Sequence, residues 1–334
     1  MNNNKFKNII MANIGTTYLG LKLKSPVIVG SSSLTASLDN IKKYETAGAG
    51  AVVLKSLFEE QILREAASLD INDYPEASDY LNNYLRDNTV DTYLNQIREV
   101  KKTALIPIIA SINCVKGGDW TAFASKIEEA GADALELNIF FMPETRTQTA
   151  QEIEQQYLAT AAEVVKAVSV PVAVKISNHF TNPLNIINEL YYRGVKGVIM
   201  FNRFYEPDIN IEKMELGSSD VLSNHVEMRG TQRWIAKASA KIPLVDYAAS
   251  TGIESGESVV KMLLAGAKAV QVCSAIYKGG GSIIKYMNDF VNEWMVRHGY
   301  RETSEFIGKM NLTNVQDSLG YERAQFMKYF SSYK

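Results

Sequence analysis

Ala130-Gly131-Ala132-Asp133-Ala134-Leu135-Glu136-Leu137-Asn138 compresses the plan of the whole chain into one short stretch. Gly131 just past a run of helix-forming residues reads as a left-handed helix cap. The mostly apolar run that follows reads as a strand buried on both faces, the mark of a parallel sheet. Asn138 then stands at the strand's carboxyl end, where parallel α/β folds build their sites.

The same phrase recurs at Ala47-Gly48-Ala49-Gly50-Ala51, Arg193-Gly194-Val195-Lys196-Gly197 and Ala265-Gly266-Ala267-Lys268-Ala269. Working outward from these, strands are predicted at Pro26–Gly30, Ala51–Leu54, Leu105–Ile112, Ala134–Asn138, Pro171–Ile176, Val198–Phe201, Pro243–Asp246 and Ala269–Val272. Helical patterns separate them, from Leu38–Ala47 to Ser282–Arg297. Eight strand-helix units in one chain predict an α/β fold closed as a (β/α)8 TIM barrel.

Three segments fall outside this repeat. Thr16–Lys24 alternates and reads as an N-terminal hairpin at the bottom of the barrel, whereas Phe58–Lys102 and Asn202–Met228 are insertions expected over its carboxyl-terminal face. The whole of 1–334 is expected to form a single domain, with a helical extension from about residue 299.

Composition narrows the partners. The 334 residues are 46% apolar and carry a formal net charge of −2, which gives no electrostatic case for nucleic acid or an anionic membrane. No apolar run approaches the roughly 20 residues of a membrane span. Two cysteines, Cys114 and Cys273, imply no disulfide framework and fit a reducing, cytoplasmic setting. Three scattered histidines and no paired cysteines give no metal-ligand spacing.

The residues at the strand ends carry the functional reading. Thr251-Gly252 after the seventh strand and Cys273-Ser274 after the eighth are small, as backbone N–H groups approaching a phosphate require; ordinary tight turns have the same composition. Lys175 ends an apolar strand and needs solvent or an anionic partner there. It suits charge stabilisation on a cofactor ring or, as a neutral amine, Schiff-base chemistry; a lysine snorkelling to the rim is the plainer alternative. Lys55 stands in the same relation to the second strand. Asn138 and Asn202 end neighbouring strands, and amides that donate and accept suit a heterocycle, although asparagines also cap loops.

These strand-end residues, in this order and spacing, resemble the dihydroorotate dehydrogenase family, above all its soluble class 1 branch. The resemblance runs from Thr17–Lys22 and Pro26–Ser32 through Ile253–Gly256 and Gln271–Ala275 to Glu305–Lys309. It implies FMN over the carboxyl ends of the strands, with Gly30 and Ser31 bordering the flavin and Lys55 and Ser56 touching its ring. It implies further that Lys175 lies near the N1/C2=O edge, that Asn138 and Asn202 contact both flavin and substrate, and that Thr251, Gly252, Cys273 and Ser274 hold the phosphate. A homodimer and a small, cyclic, anionic substrate are implied as well.

On the substrate side the chain departs from the family. The loop that carries the catalytic Cys or Ser in Asn-x-Ser-Cys-Pro-Asn reads Asn138-Ile139-Phe140-Phe141-Met142-Pro143-Glu144 here. Phe141 or Met142 stands at the base position, and neither accepts a proton. Glu144 is the first candidate for a replacement, ahead of Thr145, Tyr205 or a tyrosine of the Phe58–Lys102 insertion, and a surface glutamate starting a helical region is its plainer alternative. Arg203 replaces a Ser and suits a substrate carboxylate, or an ion pair with Glu206. The expected activity is oxidation of a CH–CH bond by an FMN-dependent, dihydroorotate dehydrogenase-like enzyme. The alternatives are an FMN-binding protein without turnover and a flavin-free lyase or aldolase using Lys175.

Overall fold

Several helices in this chain stop where a glycine turns left-handed. Gly266, at φ +117°, donates its N–H to the carbonyls of Leu263 and Met262, closing the helix so that Ala269 starts the next strand three residues on. Gly131, at φ +98°, does the same service before Ala134. An L side chain at either position is strained.

The computed structural model describes residues 12–58, 90–114, 120–143, 145–204, 206–218 and 220–322. Its elements run β1 (Thr16–Tyr18), β2 (Leu21–Leu23), β3 (Val27–Val29), α1 (Leu38–Thr46), β4 (Ala51–Val53), β5 (Leu57–Phe58) and a helix α2 over 90–103. They continue with β6 (Ile108–Cys114), α3 (Trp120–Glu129), β7 (Ala134–Ile139), α4 (Ala150–Ala167), β8 (Val172–Ile176), α5 (Pro183–Tyr192) and β9 (Gly197–Met200). After the hairpin β10 (Pro207–Asn210) and β11 (Glu215–Ser218) come α6 (Met228–Lys241), β12 (Asp246–Ala249), α7 (Gly256–Ala265), β13 (Ala269–Val272), α8 (Ser274–Gly279) and α9 (Ile283–His298).

Strands β3, β4, β6, β7, β8, β9, β12 and β13 pair in parallel, each with two neighbours, and the β13–β3 and β4–β6 pairings close the ring. This is the (β/α)8 barrel expected from the repeat. The outward faces of the strands pack against the helices in one large core, with Ile108, Leu135, Val174, Val198 and Val270 fully buried. The inward faces form a second, smaller core of Ile28, Ala51, Val53, Ile109, Ala134, Ala173, Ile199, Ala248 and Ala269.

The β1–β2 hairpin plugs that inner core from below. Leu19 (φ +56°) and Gly20 (φ +77°) make the turn, and Tyr18, Leu19 and Leu23 are buried against the inward residues. Leu19 N–H donates to Asp246 Oδ2 at 2.7 Å, which fixes the tip to the start of β12.

One strand lies three residues beyond its predicted place. Pro243–Asp246 was expected, whereas β12 spans Asp246–Ala249. Leu244 is exposed, and the run before it completes the end of α6: Ile242 N–H bonds to Ala238, and the Tyr247 hydroxyl donates to Ala238 and Ile242. An apolar turn there imitates a strand in composition.

Beyond Gly299, the described residues form the 3-10 turns Thr303–Glu305 and Ser318–Tyr321 rather than an α-helix. Most of the Phe58–Lys102 insertion and the aromatic residues after Glu322 lie outside the described residues. Among the described residues no helix is long and apolar enough to cross a membrane.

Candidate active site

A strand turns every second side chain to the same face. Two residues above Ala134, Ala173, Ala269 and Ile109 of the inner core come Glu136, Lys175, Gln271 and Ser111. The barrel interior therefore changes from apolar to polar as the carboxyl ends approach. Glu136, Gln271 and Ser111 are buried, and the Lys175 side chain is 12% exposed.

Lys175 Nζ donates to Gln271 Oε1 at 3.0 Å, and Gln271 Nε2 donates to Glu136 Oε2 at 2.5 Å. Glu136 Oε1 is buried without a hydrogen-bond partner, 4.0 Å from Lys175 Nζ. Burial pushes the Glu136 carboxyl above its ordinary range, and the Lys175 charge and the Gln271 hydrogen bond pull it part of the way back. Asn138 is the register partner of Lys175 across β7 and β8, and it accepts a hydrogen bond from the side-chain amide of Asn202.

A string of hydroxyls continues from the neighbouring strand, where Ser111 is the register partner of Glu136. Ser31 Oγ lies 3.0 Å from Ser56 Oγ, which lies 2.7 Å from Ser111 Oγ. Tyr93 from α2 clamps the string from behind, exchanging hydrogen bonds with the Ser111 backbone at 2.9 and 3.1 Å. Gly30 continues the β3 ladder by donating to the Val272 carbonyl. Lys55 is half-buried one residue before Ser56 and has no hydrogen-bond partner among the described residues.

Thr251 and Gly252 both have φ +75°, and the Thr251 hydroxyl donates to the Phe201 carbonyl at 3.1 Å. Their loop and the one at Cys273-Ser274 face a cavity of about 190 Å³, which Ser31, Lys175, Asn202, Arg203 and Ser223 also line. Ammonium, hydroxyl, amide and backbone N–H donors converge there, a donor set that fits a phosphorylated, polar cofactor such as FMN.

The strand-end reasoning missed Ser223, Glu136, Gln271 and Ser111. Ser223 lies in an insertion without periodicity, and no local signal marks it. Its hydroxyl donates to Ser274 Oγ at 3.0 Å and accepts from Gly252 N–H at 3.2 Å. Glu136 and Gln271 were legible in principle, as polar residues inside otherwise apolar strands and two positions above an alanine.

Arg203 is engaged by its own insertion. It pairs with Glu227 at 2.8 Å and donates to the Val221 and Asp220 carbonyls at 2.9 and 2.7 Å. The ion pair with Glu227 anchors the segment that carries Ser223, while the Arg203 side chain still faces the cavity.

The loop after β7 is aromatic. Phe140 stacks on Phe204 with centroids 3.6 Å apart, and His179 lies beside Phe204 at 5.8 Å. Phe141 turns inward, edge-on to Tyr157 at 5.1 Å, and its N–H donates to the Tyr157 hydroxyl. Burial pushes that phenol up to about 12. Met142 is 60% exposed. A second cavity of about 230 Å³ opens among Phe140, Phe141, Met142, Tyr157, His179 and Phe180. Glu144 and Tyr205 lie outside the described residues; Thr145 is exposed and bonded to Thr147 at 3.1 Å. Among the described residues no group of three or more His, Cys, Asp or Glu side chains is arranged to hold a metal ion.

Comparison with known proteins agrees with this architecture. The model of the family described as dihydroorotate dehydrogenase matches residues 13–295. The catalytic subunit of dihydroorotate dehydrogenase B (NAD(+)) from Methanocaldococcus jannaschii is 28% identical over 285 residues, covering 82% of this chain and 90% of the relative. A putative dihydroorotate dehydrogenase A (fumarate) from Aeropyrum pernix is 27% identical over 301 residues, covering 86% and 94%. The Thermoplasma volcanium dihydroorotate dehydrogenase B (NAD(+)) catalytic subunit is 26% identical over 309 residues, covering 89% and 98%. A match across most of a closed barrel, whose polar layer meets a donor-lined cavity, decides the assignment: the chain belongs to the dihydroorotate dehydrogenase family of flavin-dependent oxidoreductases.

Proposed function

We propose that this chain is an FMN-dependent oxidoreductase whose cofactor side follows its family and whose substrate side does not. The observation that carries the reading is Lys175, fixed by Gln271 at the mouth of the barrel and lining the same cavity as Thr251-Gly252 and Cys273-Ser274. A fixed ammonium is suited to the N1/C2=O edge of a flavin, where reduction builds negative charge. Its standing hydrogen bond to Gln271 suits it less to attack on a carbonyl, which sets the lyase alternative second.

Bound FMN supplies the hydride acceptor for a CH–CH oxidation. The protein's share is positional. Lys175 stabilises charge, Thr251, Cys273 and Ser274 offer N–H groups to the phosphate beside Gly252, whose own N–H is held by Ser223 and whose lack of a side chain allows close approach, and Gly30, Ser31, Lys55 and Ser56 border the ring. Asn138 and Asn202, linked through their amides, present one donor–acceptor edge to flavin and substrate. Glu144 is proposed as the proton acceptor, because neither Phe141 nor Met142 can take that part.

Dihydroorotate is the substrate implied by family membership, with a place in pyrimidine biosynthesis, in the cytoplasm and as a homodimer. The stacked Phe140–Phe204 pair at the loop that usually carries the base favours a different, flatter or more apolar ring. Two measurements separate these readings. The purified protein is expected to be yellow with a flavin spectrum; a colourless protein that fails to bind added FMN overturns the cofactor. Stopped-flow reduction by millimolar dihydroorotate tests the substrate, and absence of bleaching overturns the pyrimidine assignment while leaving the flavin intact.

A further inference from the structure

Glu136 has no part in the scheme above, yet the barrel buries its carboxyl in its interior with one oxygen unpartnered. An apolar residue such as the neighbouring Leu135 or Leu137 fills such a position at lower cost, because a buried charge must recover its lost hydration. The groups that face Glu136 come from each element around it: Lys175 from β8, Gln271 from β13, Tyr18 from the hairpin and Tyr93 from α2. Tyr93 is committed to the Ser111 backbone. Tyr18 is itself buried without a hydrogen-bond partner. The remaining partners are Gln271 and Lys175.

Gln271 is oriented by what it touches. Its carbonyl oxygen meets the Lys175 ammonium and its NH2 meets the Glu136 carboxyl. Reversing the amide sets donor against donor and acceptor against acceptor, so only one orientation is stable. The amide thus separates two opposite charges that stand 4.0 Å apart and keeps the ammonium from closing on the carboxylate.

We propose that Glu136 and Gln271 are positioning residues for Lys175: Gln271 holds the ammonium up toward the cofactor, and Glu136 tempers the positive charge presented there. The inference rests on the FMN reading. It has a signature that a merely structural role lacks, because the two residues act in opposite senses. Removing the Glu136 charge leaves a stronger positive field at the cofactor edge. Removing the Gln271 bridge lets Lys175 sink onto Glu136 and weakens that field.

The experiment measures the affinity of the whole protein for oxidised and for reduced FMN, through the reduction potential of the bound cofactor against reference dyes. Glu136→Gln is expected to raise the preference for the reduced form about tenfold, equivalent to about +30 mV for a two-electron couple. Gln271→Leu is expected to lower it about tenfold, and Gln271→Met replaces it where the leucine variant does not fold. The Gln271→Leu shift is expected to vanish in a Lys175→Met background, because the bridge acts only by placing the ammonium. Shifts of the same sign, shifts under about twofold, or a Gln271→Leu shift that survives without Lys175 overturn the proposal. If the wild-type protein binds no FMN, the cofactor reading falls, and crystal structures of the cofactor-free variants decide the positioning role. Closure of Lys175 onto Glu136 in Gln271→Leu supports it, and an ammonium unmoved at its present 4.0 Å overturns it.

Discussion

The Ser223 hydroxyl accepts the Gly252 N–H at 3.2 Å and donates to Ser274 Oγ at 3.0 Å, so one side chain from an insertion ties together the loops after β12 and β13. Those loops are the proposed phosphate cradle. Ser223→Ala removes both bonds, and a net hydrogen bond is worth about 1 kcal/mol. FMN affinity, followed by quenching of flavin fluorescence, is expected to fall about fivefold. Unchanged affinity would separate the insertion from the cradle.

Gly252 has a harder constraint. Its φ is +75°, and a Cβ there meets the Asn224 carbonyl oxygen and the Met228 nitrogen at 2.7 Å, both backbone atoms that cannot swing away. Gly252→Ala is expected to cost about 1–3 kcal/mol of stability in chemical denaturation, from the left-handed backbone and the clash together. FMN should recover little of that loss, because the displaced segment carries Ser223.

Phe141 illustrates why the family's base position cannot simply be restored. Its ring packs edge-on against Tyr157, and its N–H bonds the Tyr157 hydroxyl. Phe141→Ser is expected to cost about 2–3 kcal/mol by loss of this packing, whereas Met142→Ser, at an exposed position, should change stability by less than about 0.5 kcal/mol. Equal costs measured by urea denaturation would contradict the packing assignment.

Glu136 makes folding sensitive to pH. Its carboxyl holds a proton more tightly when folded, because burial disfavours the charge. Folding therefore takes up a proton above the ordinary glutamate value of 4.5, and stability falls as pH rises from there to the raised folded value. Below that window the group contributes no slope, and above it the full loss has accrued. The slope is at most about 1.4 kcal/mol per pH unit for one proton. Glu136→Gln is expected to flatten it, leaving a smaller residue of the same sign from Asp246, whose carboxyl burial also raises. A wild-type profile unchanged by the substitution counts against this account.

The hairpin plug predicts a coupling. A Cβ on Gly197 stands 2.4 Å from Leu19 Cδ2, so Gly197→Ala overpacks the barrel floor at about 1–3 kcal/mol. Leu19→Ala opens a cavity at about 2–4 kcal/mol. The double variant should lose at least about 1 kcal/mol less than the sum, since each change relieves the other. Additive losses in thermal or chemical unfolding would place the hairpin elsewhere.

Much of the fold was legible because barrel strands and their caps are local matters. The runs at Ala134–Asn138 and Ala269–Val272 are mostly apolar because both faces are covered, and Gly131 and Gly266 mark the helix ends because only glycine takes those angles cheaply. The seventh strand was misplaced because Pro243-Leu244 has a strand's composition while serving the end of α6. Arg203 has two readings from sequence, a substrate carboxylate or Glu206, and neither names the ion pair that it forms with Glu227, 24 residues away.

The sequence by itself determined the barrel, the family and the set of small and polar residues at the strand ends, because each follows from a period, a cap or a short spacing. Only the tertiary structure decided which of those residues meet. Lys175 and Gln271 lie 96 residues apart, and Gln271 and Glu136 lie 135 apart. The closing of β13 against β3 and of β4 against β6 turns those distant strand positions into neighbours around one axis. Hydrogen bonding and charge act over a few ångströms of space, and no pattern along the chain measures that distance.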